Sequence, residues 1–295
     1  MVRDVSSARS RFPPDVELIQ GDVTCPEDVD RAVRGCEAVY HFAALHRQAK
    51  YPDEMYWAVN ARGTENLVQA ALRRGVRRFL HCSTVGVHGN AYVPADEHAP
   101  FAPEDIYQET KLAAERAVRS AMAEGLQATI VRPVGIYGPG DMRFLKLFRT
   151  VQNQTFRMIG SGDTVHHLMY IDDLVAGVLL CARHERAAGE AYILAGPRYT
   201  SLNDLVRATA RAVGRPPPRG HVPLRPVMLA AKLTESVCRP LGIEPPLHTR
   251  RVGFFVNDRG FCSDKAAREL GYVPRVDLDE GLARTVQWYR SVGVL

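Results

Sequence analysis

Short apolar runs alternate with longer amphipathic stretches through the first half of the chain. VELIQGDV (16–23), CEAVYHFAA (36–44), RRFLHCSTVGV (77–87) and ATIVRPVGIYG (128–138) each read as a strand. Between them, PEDVDRAVRG, residues from about 53 to 74, and PEDIYQETKLAAERAVRSAMAEG carry helical spacing. Continuous apolar strands separated by helices of ~10 residues or more make a parallel sheet covered on both faces. The predicted class is therefore α/β, doubly wound.

The second half is less regular. It predicts a helix near 142–152, a short FRMIG run, a helix from Asp172, a strand AYILAG (191–196) and a helix from Ser201. The proline cluster RPPPRGHVP then reads as a surface loop, and SDKAARELGYVPRVDLDEGLARTVQWYR as two helices around a Gly-Tyr-x-Pro turn. A smaller α+β lobe at the carboxyl end follows from this pattern.

Composition narrows the function classes. At 295 residues, with a net charge of +5 spread along the chain, nothing resembles the clustered basic stripe of a nucleic-acid surface. The six cysteines stand far apart without a CxxC pair, so they read as reduced cytoplasmic thiols and predict no metal site. The longest apolar stretch, LVAGVLLCA (174–182), is far short of the ~18–20 residues a membrane helix needs. MVRDVSSARSR has charge but no apolar core of a signal peptide.

The strongest chemical signal is YQETK. Tyr107 and Lys111, four residues apart on a helix, share one face. A phenol titrates near ~10, so it exchanges protons at neutral pH only where a nearby cation favours the phenolate. Lys111 is one of only five lysines, which makes its spacing informative. The strand ending in HCSTVGVHG puts Ser83 and Thr84 at the carboxyl edge of the sheet, where ligands sit in open α/β folds. YHFAA ends another strand in small residues that allow close approach to the backbone. Asp22 in GDV either accepts from an adenine amino group or caps its own turn. The adjacent His166 and His167 do not face one metal from a strand and read as ordinary polar positions.

Taken in order, GDVT, YHFAA, NARGTENLVQAA, STVGVHG, YQETK, RPVGIYGPG, MYIDDLV and SDKAARELGYVP resemble the extended short-chain dehydrogenase/reductases over essentially the whole chain. That superfamily includes nucleotide-sugar epimerases and dehydratases, 3β-hydroxysteroid dehydrogenases and dihydroflavonol-type reductases. The resemblance implies a Rossmann-like domain over 1–155, with 170–200 returning to it, and a lobe for substrate over the rest of 156–295. It implies Tyr107, Lys111 and Thr84 as catalytic residues. Arg3, Asp22, Val23, Phe42, Ala43, Ala44, Asn60 and Pro133 would join Tyr107 and Lys111 around the cofactor; Ser83, His88 and Val134 would face substrate.

Hydride transfer between NAD or NADP and a secondary alcohol or ketone is the implied activity. The substrate would be a sugar nucleotide, a sterol or a flavonol-like molecule, and the protein a homodimer through helices near 56–74 and 104–124. An arginine at the end of the second strand pairs with a ribose 2′-phosphate, so Arg3 favours NADP. His88 stands where many relatives have tyrosine. His166 and His167 stand where sugar-nucleotide enzymes often carry an arginine, and the tail is closer to the steroid and flavonol side. VRD resembles the end of the family's second strand, yet no GxxGxxG turn precedes it. The expectation is thus a chain shortened by ~30–40 residues, lacking the first strand and helix and leaving a gap or an exposed strand edge in the middle of its sheet. The alternative reading is a cofactor-impaired relative that acts as a binding or assembly protein.

Overall fold

The structure, a computed structural model, describes residues 1–46, 51–238 and 252–295. Four parallel strands form its central sheet. They are β1 (Ala38–His41), β2 (Arg78–Cys82), β3 (Ala128–Pro133) and β7 (Ala191–Leu194), in the order β1-β2-β3-β7. Successive side chains point to opposite faces, and the strands use both. Phe79 and Ile130 pack under α2 (Pro26–Val33), α4 (Gly63–Arg73) and α5 (Ile106–Ala123); Leu80 and Val131 pack under α7 (Ile171–Arg183) and α10 (Asp264–Leu270). Every residue of β3 and β7 is buried, as a sheet covered on both sides requires. β1 is paired only with β2 among the described strands and exposes Ala38 and Tyr40.

Three predicted elements differ. The run at 16–23 forms a single parallel bridge, Gln20 to Val2, in place of a strand. Val2 N–H donates to Ile19 at 2.8 Å and Gly21 N–H to Val2 at 3.0 Å, and this pair stands apart from the four-stranded sheet. The run at 128–138 is split: Pro133 has no N–H to continue the ladder. After Val134 the chain crosses into a second sheet as β4 (Gly135–Tyr137), beside β6 (Val165–Tyr170) and antiparallel β8 (Tyr199–Ser201). The helix expected over 53–74 is α3 (Asp53–Tyr56), a π-helical turn Trp57–Arg62, then α4. Its wider turn buries Asn60 and Ala61.

The remaining core joins α6 (Leu145–Gln152), α8 (Leu202–Val213) and α11 (Leu278–Ser291) through Phe148, Leu205, Val286 and Tyr289. The proline cluster is a loop leading into β9 (His221–Val222), which pairs with β5 (Met158–Ile159). Where the two sheets meet, Gly196 has no substitute: a Cβ there would lie 2.2 Å from the Leu168 carbonyl oxygen. Among the described residues no helix is long and apolar enough to cross a membrane.

Candidate active site

α5 begins with a reciprocal cap. The Asp105 carboxylate accepts from Gln108 N–H at 2.9 Å, and the Gln108 side-chain carbonyl accepts from Glu104 N–H at 2.6 Å. This fixes the first turn, which carries Tyr107, at the helix end that favours negative charge. Lys111 and Glu115 follow at successive turns on the same face. Both are buried.

Each of the three meets a different strand or loop. The Tyr107 ring stands edge-on to His46, with centroids 4.6 Å apart. Lys111 Nζ lies 3.3 Å from His81 Nε2 on β2. Glu115 accepts from Arg132 Nε and Nη2 at 2.9 and 2.6 Å, and from Ser83 Oγ at 2.5 Å. Burial pulls the Lys111 ammonium from 10.5 down to about 8, against weaker support from Cys82 and Glu115. Burial and then Lys111 drive His81 well below the usual imidazole range, and push His41 down to about 3.

Thr84 sits just beyond β2. Ser83 N–H extends the ladder to Val131 at 2.7 Å, and Thr84 Oγ1 then accepts from Gly86 N–H at 3.1 Å, capping the 3-10 turn Val85–His88. Among the described residues that hydroxyl only accepts, which leaves its own proton to be donated outward. A Cβ on Gly86 would stand 3.2 Å from Gln108 Cγ, so glycine lets this turn lie against the start of α5.

Asn60 closes the arrangement. Its Oδ1 accepts from Leu45 N–H at 2.7 Å, and its Nδ2 donates to Leu45 O at 3.1 Å and Thr110 Oγ1 at 3.0 Å. The exposed Phe42, Ala43 and Ala44 are thereby tethered to α5 between Tyr107 and Lys111. Thr84, Tyr107, Lys111, Asn60 and the 42–44 loop thus converge on the carboxyl end of the sheet.

Other expected residues are placed elsewhere. Asp22 caps its own turn, accepting from Thr24 N–H and Oγ1 at 2.9 and 2.8 Å. Val23 is a core residue whose carbonyl accepts from Asn66 at 3.0 Å, and Arg3 is exposed beside the Val2–Gln20 bridge. Among the described residues no hydrogen bond joins these three to the Tyr107 group. Pro133 and Val134 are buried, with Val134 N–H donating to Leu194. Ser83 does not stand open to a ligand: it is buried and its hydroxyl proton goes to Glu115. Arg132, the first residue of RPVGIYGPG, is fully buried on Glu115.

Arg132 also accounts for His88. Its Nη1 donates to His88 Nε2 at 3.2 Å, so His88 Nδ1 carries the ring proton toward the Pro100 carbonyl at 3.3 Å. Phe101 stacks on His88 at 5.4 Å and covers the guanidinium at 5.0 Å. His166 and His167 are buried on β6, His167 with its Nε2 at 2.9 Å from the Gly196 carbonyl. The part of the expected substrate lobe at 239–251 lies outside the described residues. Sequence reasoning missed Glu115, His81 and His41. Glu115 had a visible signal, its place one turn after Lys111 in YQETKLAAE.

A model of the NAD dependent epimerase/dehydratase family matches residues 1–195. The chain belongs to that family. It is 30% identical over 318 residues to short-chain dehydrogenase/reductase family 42E member 1 of Danio rerio, covering 98% of this chain and 81% of that protein. It is 31% identical over 314 residues to a 3 beta-hydroxysteroid dehydrogenase/Delta 5→4-isomerase of Mycobacterium tuberculosis, covering 99% and 84%. The crystal structure of a DesIV double mutant, a dTDP-glucose 4,6-dehydratase from Streptomyces venezuelae with NAD and DAU bound, matches with a TM-score of 0.73. It is 25% identical and covers 96% of this chain and 82% of that one. The chain is therefore an enzyme of the extended short-chain dehydrogenase/reductase type, with that group's Rossmann-like fold.

The epimerase/dehydratase family's dinucleotide has a test in the side chains present. An ammonium has three N–H donors, and among the described residues the buried Lys111 uses one, on His81. Two remain for the hydroxyls of a ribose, and the small Ala43 and Ala44 stand exposed on the loop that Asn60 ties to α5. The residues fit such a group.

Proposed function

We propose that this chain moves a hydride between NAD(P) and a secondary alcohol or ketone of a sterol-like small molecule. The observation that carries the proposal is the convergence of Tyr107, buried Lys111 and Thr84 at one end of the sheet. Bound nicotinamide supplies the site that gives or takes the hydride. Thr84 donates its hydroxyl proton to the substrate oxygen and orients it. Tyr107 Oη accepts the substrate hydroxyl proton in oxidation and returns it in reduction, a contribution worth ~100- to 10,000-fold. The Lys111 ammonium and the α5 N-terminus both favour the phenolate, and Lys111 also holds the ribose.

Phe42, Ala43 and Ala44, on the loop tied to α5, and Asn60, which ties it, are the further cofactor residues that this geometry supports; Arg3, Asp22, Val23 and Pro133 enter the proposal through the family resemblance alone. Exposed Arg3 supports NADP over NAD. His88 and Val134 back the substrate side. A sterol-like substrate is supported by the name of the Mycobacterium tuberculosis relative and by His166 and His167, which are buried and not offered to a diphosphate. The free state of all six cysteines supports a reducing cytoplasm. The exposed Met55 and Trp57, at the start of the α3–α4 segment, support a homodimer there.

The experiment is a panel of 3β-hydroxysterols, flavonols and nucleotide sugars incubated with NAD or NADP, followed by cofactor reduction. Reduction of NADP by sterols above the other classes is expected. Preferential turnover of a nucleotide sugar contradicts the substrate class, and no reduction with any of them contradicts the activity.

A further inference from the structure

Lys111 has a partner that the motif spacing does not explain. Its ammonium is buried and, among the described residues, His81 Nε2 at 3.3 Å is its one hydrogen-bond partner. An ammonium only donates, so His81 accepts through Nε2 and carries its ring proton on Nδ1. Burial keeps that ring neutral. The same logic fixes the next ring. Thr64 gives its single hydroxyl proton to the Asn60 carbonyl at 2.6 Å, so it accepts from His41 Nε2–H at 2.9 Å. His41, held in this way, flanks His81 with ring centroids 5.2 Å apart. Asn60 returns the chain of contacts to α5 through Thr110.

We infer that His81 is the positioning residue of Lys111: its Nε2 accepts from the ammonium and holds it against the end of β2, braced from behind by His41 and Thr64. The inference rests on the proposed role of Lys111 at the Tyr107 site, and it needs no cofactor to be tested. Among the described residues the titratable groups around Lys111 are His81 and Cys82 from β2, His41 from β1, and Glu115 and Tyr107 one turn to either side on α5 itself. Of these, His81 alone reaches hydrogen-bond distance.

With five lysines, a chain labelled at lysine 13Cε gives five signals, and Lys111→Arg assigns the one in question. In the unsubstituted protein the Lys111 signal should titrate at about 8. His81→Leu removes the acceptor, so the midpoint should fall by about one pH unit, a tenfold change in the ratio of charged to neutral amine. His81→Gln, whose side-chain carbonyl reaches about as far as Nε2, should restore it. An unchanged midpoint in a folded His81→Leu overturns the inference. Should that variant not fold, 15N spectra of unsubstituted protein decide it: His81 protonated at Nδ1 with a bare Nε2 supports the inference, and a proton on Nε2 overturns it. Hydride transfer is measured separately. A chain that titrates as expected but turns over nothing sinks the proposed function and leaves His81 as the partner of Lys111.

Discussion

Glu115 and Arg132 form a two-point ion pair with both side chains at 1% exposure, and the same carboxylate holds Ser83. One group on α5 thereby grips the end of β3 and the end of β2, on the helix face that carries Tyr107 and Lys111. Removing one member of a buried pair strands the other without water or a counter-charge. Glu115→Ala should therefore cost about 3–5 kcal/mol of stability in urea denaturation. A loss under ~1 kcal/mol would mean that the pair does not hold α5 to the sheet.

Neighbouring hydroxyls should behave differently. Ser83 spends its proton on Glu115, so Ser83→Ala should lower stability by about 1.5–3 kcal/mol and leave KM for the substrate unchanged. Among the described residues the Thr84 hydroxyl only accepts from Gly86, so Thr84→Ala should depress kcat/KM while costing about 1 kcal/mol or less. Thermal melts and steady-state kinetics on the two variants check this; a KM effect confined to Ser83→Ala reverses the assignment.

Stability should depend on pH at both ends of the range. The folded chain holds His41 at about 3 against 6.5 for a free imidazole. Between those values the unfolded chain binds the proton and the folded chain does not, so stability falls as pH drops, by up to about 4–5 kcal/mol. Lys111 is held at about 8 against 10.5. Across that window the unfolded chain again binds more protons, so stability rises with pH, by up to about 3 kcal/mol. His41→Phe should flatten the acid side and Lys111→Met the alkaline side in denaturation at stepped pH. Curves parallel to the unsubstituted protein would contradict this.

What the sequence made legible follows from the range of each interaction. YQETK needs only one helical turn to put Tyr107 beside Lys111, and the buried strands β2, β3 and β7 appear as apolar runs. Ser83 was misplaced because its partner, Glu115, is 32 residues away. A polar side chain at a strand end looks alike whether it faces a ligand or a distant carboxylate. The π-helical turn at Trp57–Arg62 was hidden because one extra residue per turn barely changes an amphipathic pattern. The split after Pro133 was missed because both halves of the run are apolar: the proline marks where the ladder ends, and the pairing of Gly135 with Leu168 shows that a second sheet begins there.

The measurement closest to the central claim compares the unsubstituted chain with Tyr107→Phe. NADP reduction by a 3β-hydroxysterol is followed alongside fluorescence titration of NADPH binding. The site described here predicts that Tyr107→Phe loses about 100-fold or more in turnover while NADPH affinity and the melting temperature stay as they were. Equal turnover in the two proteins would contradict it.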